Sequence, residues 1–151
     1  MRDDLWRRKI ISTALTWVDT PYQHQASLKG EGSDCLGLIR GVWRELYGRE
    51  PASVPPYSVD WAERHSDEIL LDAARDYLTP IENKVAQAGD VLMFRMQSSA
   101  MCKHVAIMTD ENTILHAYWG RAVVESYFVP YWKRRWVYSF SFPKSDNLCL
   151  L

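Results

Sequence analysis

The sequence predicts an α+β protein in which helices from the first half pack on an antiparallel sheet of about five strands from the second. Two observations carry this. Up to Leu78 the apolar residues recur at helical spacing. After Pro80 they fall into short, closely spaced runs rich in Val, Ile, Phe and Tyr, separated by turn residues. The length of 151 residues suits one domain with a real core, read as residues 1–143 with a C-terminal tail over 144–151.

The elements follow in order. Asp3 or Asp4 can cap a first helix whose apolar positions are Trp6, Ile10, Ala14, Trp17 and Val18. Thr20-Pro21 ends it, because proline cannot continue the hydrogen bonding. A loop over 22–33 contains Gly30 and Gly32. In a second helix Cys35, Leu38, Ile39, Val42, Trp43 and Leu46 share a face, and Gly48 sits where a C-cap belongs. A proline-rich connector over 51–58 leads to a third helical region over about 59–78, with Trp61, Ile69, Leu70, Ala73, Ala74 and Tyr77 as its apolar set. The strands are then VLMFR (91–95), HVAIM (104–108), TILHAY (113–118), AVVESYF (122–128) and WVYSFSF (136–142).

Bulk properties remove several classes. A formal net charge of −1 argues against a general nucleic-acid binder. Three cysteines, Cys35, Cys102 and Cys149, cannot all pair, which favours reduced thiols over a disulfide framework. The first residues are charged and then amphipathic, with no uninterrupted apolar core of a secretory signal, and no stretch is apolar enough to span a membrane. The ending NLCLL is not a prenylation box. The expectation is synthesis in the cytoplasm, with release by lysis or as part of a particle.

The chemistry centres on SDCLGLIRG (33–41). A cysteine at a helix N-terminus feels the positive end of the helix dipole and free N–H groups, both of which favour the reactive thiolate. A thiol nucleophile also needs a base, and the base needs a group to orient it. Of the four histidines, His65 lies in the charged stretch ERHSDE and reads as a solvated side chain. His24 lies in the loop before Cys35. His104 and His116 lie on adjacent strand patterns joined by TDEN. If Thr109, Asp110 and Glu111 form the loop, Met108 pairs with Asn112 and His104 falls directly opposite His116, with β-carbons ~5 Å apart on one face. A two-residue Asp110-Glu111 turn would put the two rings on opposite faces. A catalytic pair therefore requires an odd-length loop or a bulge.

TPYQHQ, SDCLGLIRG, GDVLMF, HVAIM and ILHAY, in this order and spacing, resemble the NlpC family of papain-like cell-wall peptidases over most of residues 5–140. The resemblance implies a papain-like fold of N-terminal helices on an antiparallel sheet, with Cys35 as nucleophile, His104 as base and His116 as orienter. It places Tyr22, from the T-P-Y motif, near the active site. It implies cleavage of bacterial peptidoglycan stem peptides, typically between D-γ-glutamate and a diamino acid. HQASLKG followed by DCLGLIRGVWRELYG further resembles the subgroup of tailed phages and gene transfer agents, whose members sit at the tail tip and open peptidoglycan for DNA entry. Tail-tip or hub proteins are then the expected partners, and the expected place of action is the periplasm or cell wall. Many family members have Ser immediately after the nucleophile, where this chain has Leu36.

The implied reaction is two-step acyl transfer, with the oxyanion held by the Cys35 backbone N–H and helped by the Tyr22 hydroxyl. Ser33 and Asp34 can receive the amino group of a stem peptide, and His24 borders the groove. A carboxylate beside a thiolate raises its pKa, so Asp34 has to point into the substrate site or toward helix-capping N–H groups. No metal or organic cofactor is implied. Cys102 and His104 share a face, but C-x-H is not a common zinc spacing and a closed site needs four ligands.

Plainer readings stand beside these. A free cysteine is commonly a small buried hydrophobe. Tyr22 can simply pack under the second helix, and His24 can be an ordinary turn residue. YWKRRWVY (131–138) reads as a strand entrance whose long side chains cover apolar surface, or as a contact with anionic cell wall or a neighbouring protein. A structural adaptor that keeps the fold, or a thiol amidase or acyltransferase, are the alternative functions.

Overall fold

The structure, a computed structural model, describes residues 2–50, 69–82, 85–96, 102–118 and 120–144. Helix α1 (Arg2–Leu15) buries Trp6, Ile10 and Ala14, spaced four residues apart on one face. It begins at Arg2, so Asp3 and Asp4 lie inside its first turn rather than capping it. There their charges still complement the helix dipole. Val18, expected on the buried face, is 38% exposed, because the helix stops at Leu15 and the turn rotates it outward. Trp17 stays buried beyond the helix end, and its indole N–H donates to Glu45 Oε2 at 2.8 Å.

Helix α2 (Cys35–Tyr47) is capped by Asp34 before it and by Gly48 after it, whose φ of 89° is the left-handed cap that glycine adopts without penalty. Its buried face is Leu38, Ile39, Val42 and Leu46. Gly41 lets the Trp17 ring lie directly on the helix. A β-carbon there would stand 2.0 Å from Trp17 Cζ2. Helix α3 (Ile69–Tyr77) is the described part of the third helical region, and residues 59–68, with Trp61 and His65, lie outside the described residues. Leu70, Leu71, Ala74 and Leu78 are buried there, whereas Tyr77 is exposed. Among the described residues no helix is long and apolar enough to cross a membrane.

The chain contains a short hairpin, β1 (Ser27–Leu28) with β2 (Gly32–Ser33), and an antiparallel sheet. The sheet strands are β3 (Thr79–Ile81), β4 (Val91–Arg95), β5 (Cys102–Asp110), β6 (Thr113–Ala117), β7 (Val123–Tyr127) and β8 (Trp136–Ser141). Their order is β3-β8-β4-β5-β6-β7. Where about five strands were expected, the sheet has six among the described residues. Strand β3 was masked by Pro80, which reads as a breaker but is tolerated on an edge strand. The segment read as a strand entrance is instead a short helix, α4 (Pro130–Arg135), with Pro130 at its start, followed by β8.

Both faces of the sheet are covered, which explains why VLMFR reads as an unbroken apolar run. Val91 and Met93 join the core beneath α1, α2 and α3. Leu92 and Phe94 point to the reverse face, where Ala106, Met108, Ile114, Phe128, Trp132 and Trp136 form a second apolar layer under α4. The same alternation sorts β5, with Val105 and Ile107 toward the helices and Ala106 and Met108 toward α4.

Candidate active site

The loop before α2 is fastened to the helix start by a set of backbone and carboxylate bonds. Asp34 is 3% exposed. Its Oδ1 accepts the Gly37 N–H and its Oδ2 accepts the Gln25 N–H, both at 2.7 Å. Its side chain therefore caps the helix, one of the two directions open to it from sequence. Ser33 is fully buried. Its N–H donates to Pro21 O, and its hydroxyl donates to Asp34 O at 2.9 Å, so it shapes this turn. Gly37 is held against the loop so closely that a β-carbon would lie 1.9 Å from the Ala26 carbonyl oxygen. His24 stands at the rim, its Nδ1 4.0 Å from Asp34 Oδ2 and its side chain 30% exposed.

This scaffold presents Cys35 as the first residue of α2, free of disulfide and still partly exposed. Burial and then the Asp34 carboxylate push its thiol up to about 12. The backbone N–H groups of Val105, Leu36 and Cys35 act in the opposite direction. Desolvation therefore acts against the helix N-terminus at this thiol, a contribution the sequence alone does not show. Tyr22 is half-buried. Burial first, then the proximity of Cys35 and Asp34, raises its hydroxyl to about 12, so it stays a hydrogen-bond donor.

Val105, which offers its N–H to the sulfur, follows His104 on β5. The His104 ring turns to the α4 side of the strand. There it stacks on Trp132 (centroids 5.1 Å apart, planes at 28°) and lies 5.7 Å from the Phe94 ring. Its Nε2 is hydrogen-bonded to His116 Nδ1 at 2.9 Å. Both histidines are buried. Burial first, then the neighbouring His116, holds His104 well below the usual imidazole value. Burial lowers His116 to about 4. Both rings are neutral at physiological pH. His104 engages His116 through Nε2, which leaves its Nδ1 outside that bond.

The two histidines meet by a different register from the one expected. Ile107 pairs with Leu115 and Met108 with Ile114, so Met108 does not face Asn112 and His104 sits diagonal to His116 rather than opposite it. Asp110 pairs with Thr113 across a two-residue turn, Glu111-Asn112. A bulge between Met108 and Asp110 absorbs the odd residue and keeps both rings on one face. Two neighbours escaped the sequence reading. Trp132 forms one wall of the His104 ring. Ser126 Oγ on β7 is hydrogen-bonded to His116 Nε2 at 2.9 Å. Following the alternation one strand further, from His116 through its partner Val124, would have pointed to Ser126. Among the described residues no group of three or more His, Cys, Asp or Glu side chains is placed to hold a metal ion. The side chain of Cys102 and the residue Cys149 lie outside the described residues.

A cysteine opens a helix that packs on an antiparallel sheet, and that sheet carries a hydrogen-bonded histidine pair. The chain belongs to the NlpC/P60 family, whose sequence profile matches residues 19–140. It is 27% identical over 131 residues to the murein DD-endopeptidase/murein LD-carboxypeptidase MepS of Escherichia coli K12, covering 86% of this chain and 60% of the relative. The chain thus spans under two thirds of that relative's length. Among solved structures it resembles an NLP/P60-family lipoprotein-like protein of Staphylococcus aureus, with TM-score 0.63 and 23% identity, covering 94% of this chain and 43% of the other. It also resembles the NlpC/p60 domain of the peptidoglycan hydrolase SagA, with TM-score 0.61 and 22% identity, covering 90% and 98%. These two likenesses establish the fold.

Proposed function

We propose that this chain is a cysteine peptidase that cuts peptidoglycan stem peptides, with Cys35 as nucleophile, His104 as base and His116 as its orienter. The observation that carries the reading is the buried His104–His116 hydrogen bond on β5 and β6, next to the residue whose N–H meets the Cys35 sulfur. The murein activity in the name of the E. coli relative supports the substrate class.

The Cys35 proton passes to His104 Nδ1 as sulfur bonds to the amide carbonyl carbon. The Cys35 backbone N–H and the Tyr22 hydroxyl receive the oxyanion, one such donor being worth roughly 3–4 kcal/mol in the barrier. His104 returns the proton to the leaving amine. Water, deprotonated by the same ring, then cleaves the thioester to a carboxylate and frees the thiol.

The proposal extends to the bond and the setting. The bond is D-γ-glutamyl–diamino acid, and the setting is the tail tip of a phage or gene-transfer-agent particle acting at the periplasm or cell wall. Both rest on the SDCLGLIRG and HQASLKG motif resemblance. The E. coli relative's name specifies DD-endopeptidase and LD-carboxypeptidase activities instead, and product masses from defined muropeptides separate these cleavages. Release of a free diamino-acid amine next to D-glutamate supports the γ-glutamyl bond; cleavage at the D-alanine cross-link overturns it. An adaptor would release nothing, and an amidase or acyltransferase would give other products. Tail location is tested by probing purified particles for this chain.

A further inference from the structure

We propose that Arg121 and Arg135 form a carboxylate subsite for the leaving half of the substrate, so that the enzyme prefers a diamino acid with a second carboxylate to one without it. The inference rests on the peptidase reading above, in which His104 protonates the leaving amine. The half of the stem peptide that carries this amine therefore lies on the His104 side of the scissile bond. Groups that border the His104 ring and reach the surface are then the ones that meet the diamino acid.

Tyr118, the residue after β6, links the histidines to the surface. It is half-buried, and its ring centroid lies 5.8 Å from that of His104 and 6.0 Å from that of His116. Its hydroxyl is hydrogen-bonded with Tyr131 of α4, and the cations that act on it are Arg121 and Arg135. Both arginines are anchored beside it. The Arg121 N–H closes a turn on Tyr118 O at 2.9 Å. The Arg135 guanidinium lies 3.6 Å from the centre of the Tyr131 ring, and its Nη1 donates to Tyr131 O at 2.7 Å. Arg121 and Tyr131 are exposed, so the patch is open to a ligand.

The charges of this patch are not balanced from within. Arg7, Lys29, Arg44 and Lys144 each meet a carboxylate. Among the described residues Arg121 and Arg135 meet none, and Arg135 Nε has no hydrogen-bond partner. A guanidinium offers five N–H donors in a planar fork that matches a carboxylate. Two such groups beside one phenol favour an anion between them, and the stacked Arg135 is already ordered, which lowers the cost of binding. Diaminopimelate carries a free carboxylate a short methylene chain away from the leaving amine. Lysine carries only an ammonium there, which two arginines repel, so the patch both attracts the first and disfavours the second.

The test uses two stem tetrapeptides that differ only in whether this diaminopimelate carboxylate is free or amidated. Wild type should cut the free acid with a kcat/KM roughly 10-fold or more above the amide, the size of one charge-assisted hydrogen bond. The ratio should shrink in Arg121→Gln, approach one in Arg121→Gln/Arg135→Gln, and persist in Arg121→Lys, which keeps the charge. Thermal melts identify a double variant that fails to fold, in which case Arg121→Gln against Arg121→Lys supplies the comparison. A wild-type ratio of one overturns the proposal, as does a ratio unchanged in the folded variants. Calorimetry on Cys35→Ala repeats the comparison without cleavage, and the free acid should bind roughly 10-fold more tightly than the amide. If wild type cuts neither stem, the peptidase reading fails, and the affinities still decide the subsite: equal binding, or none, overturns it.

Discussion

Acidification destabilises this protein through a histidine that the fold keeps neutral. His116 is 3% exposed, and burial lowers its pKa from 6.5 to about 4. The folded chain therefore binds a proton there less readily than the unfolded chain. The associated stability is fully present above pH 6.5 and is lost as pH falls from there toward 4. The gap between 6.5 and about 4 corresponds to about 3 kcal/mol, at ~1.4 kcal/mol per unit. That is a large part of the ~5–15 kcal/mol that holds an ordinary domain together. His104, shifted in the same direction, steepens the loss. The assay is urea unfolding at several pH values between about 7 and 4, in wild type and His116→Gln. Exposed carboxylates titrate alike in both, so the difference in slope isolates the imidazole. Wild type should lose about 3 kcal/mol more than the variant across this range. Parallel curves would refute the claim that the fold holds His116 neutral.

Three more outcomes follow from the same contacts. Gly37→Ala puts a β-carbon 1.9 Å from the Ala26 carbonyl oxygen; thermal melts should show a loss of at least about 1–3 kcal/mol, and the displaced start of α2 should lower activity as well. Asp34→Asn removes a charge that raises the Cys35 pKa, so the pH midpoint of Cys35 alkylation by iodoacetamide should move down. Asp34→Ala also removes the acceptor of the Gly37 and Gln25 N–H groups, and chemical denaturation should show a cost of about 1–2 kcal/mol.

What the sequence made legible and what it hid divide along physical lines. Helix α2 was readable at both ends because Asp34 and Gly48 carry local signals, a side-chain acceptor and a left-handed φ. Strand β4 was found to the residue because its apolar run lies between turn-forming residues in the sequence. The hairpin register was not readable, since the bulge at Thr109 depends on how β5 twists against β6. Only the requirement for an odd loop or a bulge survived. Helix α4 is too short to show a period, and its basic and aromatic residues suit a strand equally well. The rise of the Cys35 pKa was not readable because a helix N-terminus is a local feature, whereas desolvation is a tertiary one. Ser126 is one diagonal step beyond His116 on a strand that was correctly placed, so it was within reach of the pattern.

The central claim is that Cys35 is the nucleophile of a peptidoglycan peptidase, served by His104. Its most direct test is muropeptide release from purified Gram-negative peptidoglycan by wild type, Cys35→Ala and His104→Ala, each shown to be folded. The account predicts release by wild type and none above background from either variant. Release that persists in folded Cys35→Ala would contradict it.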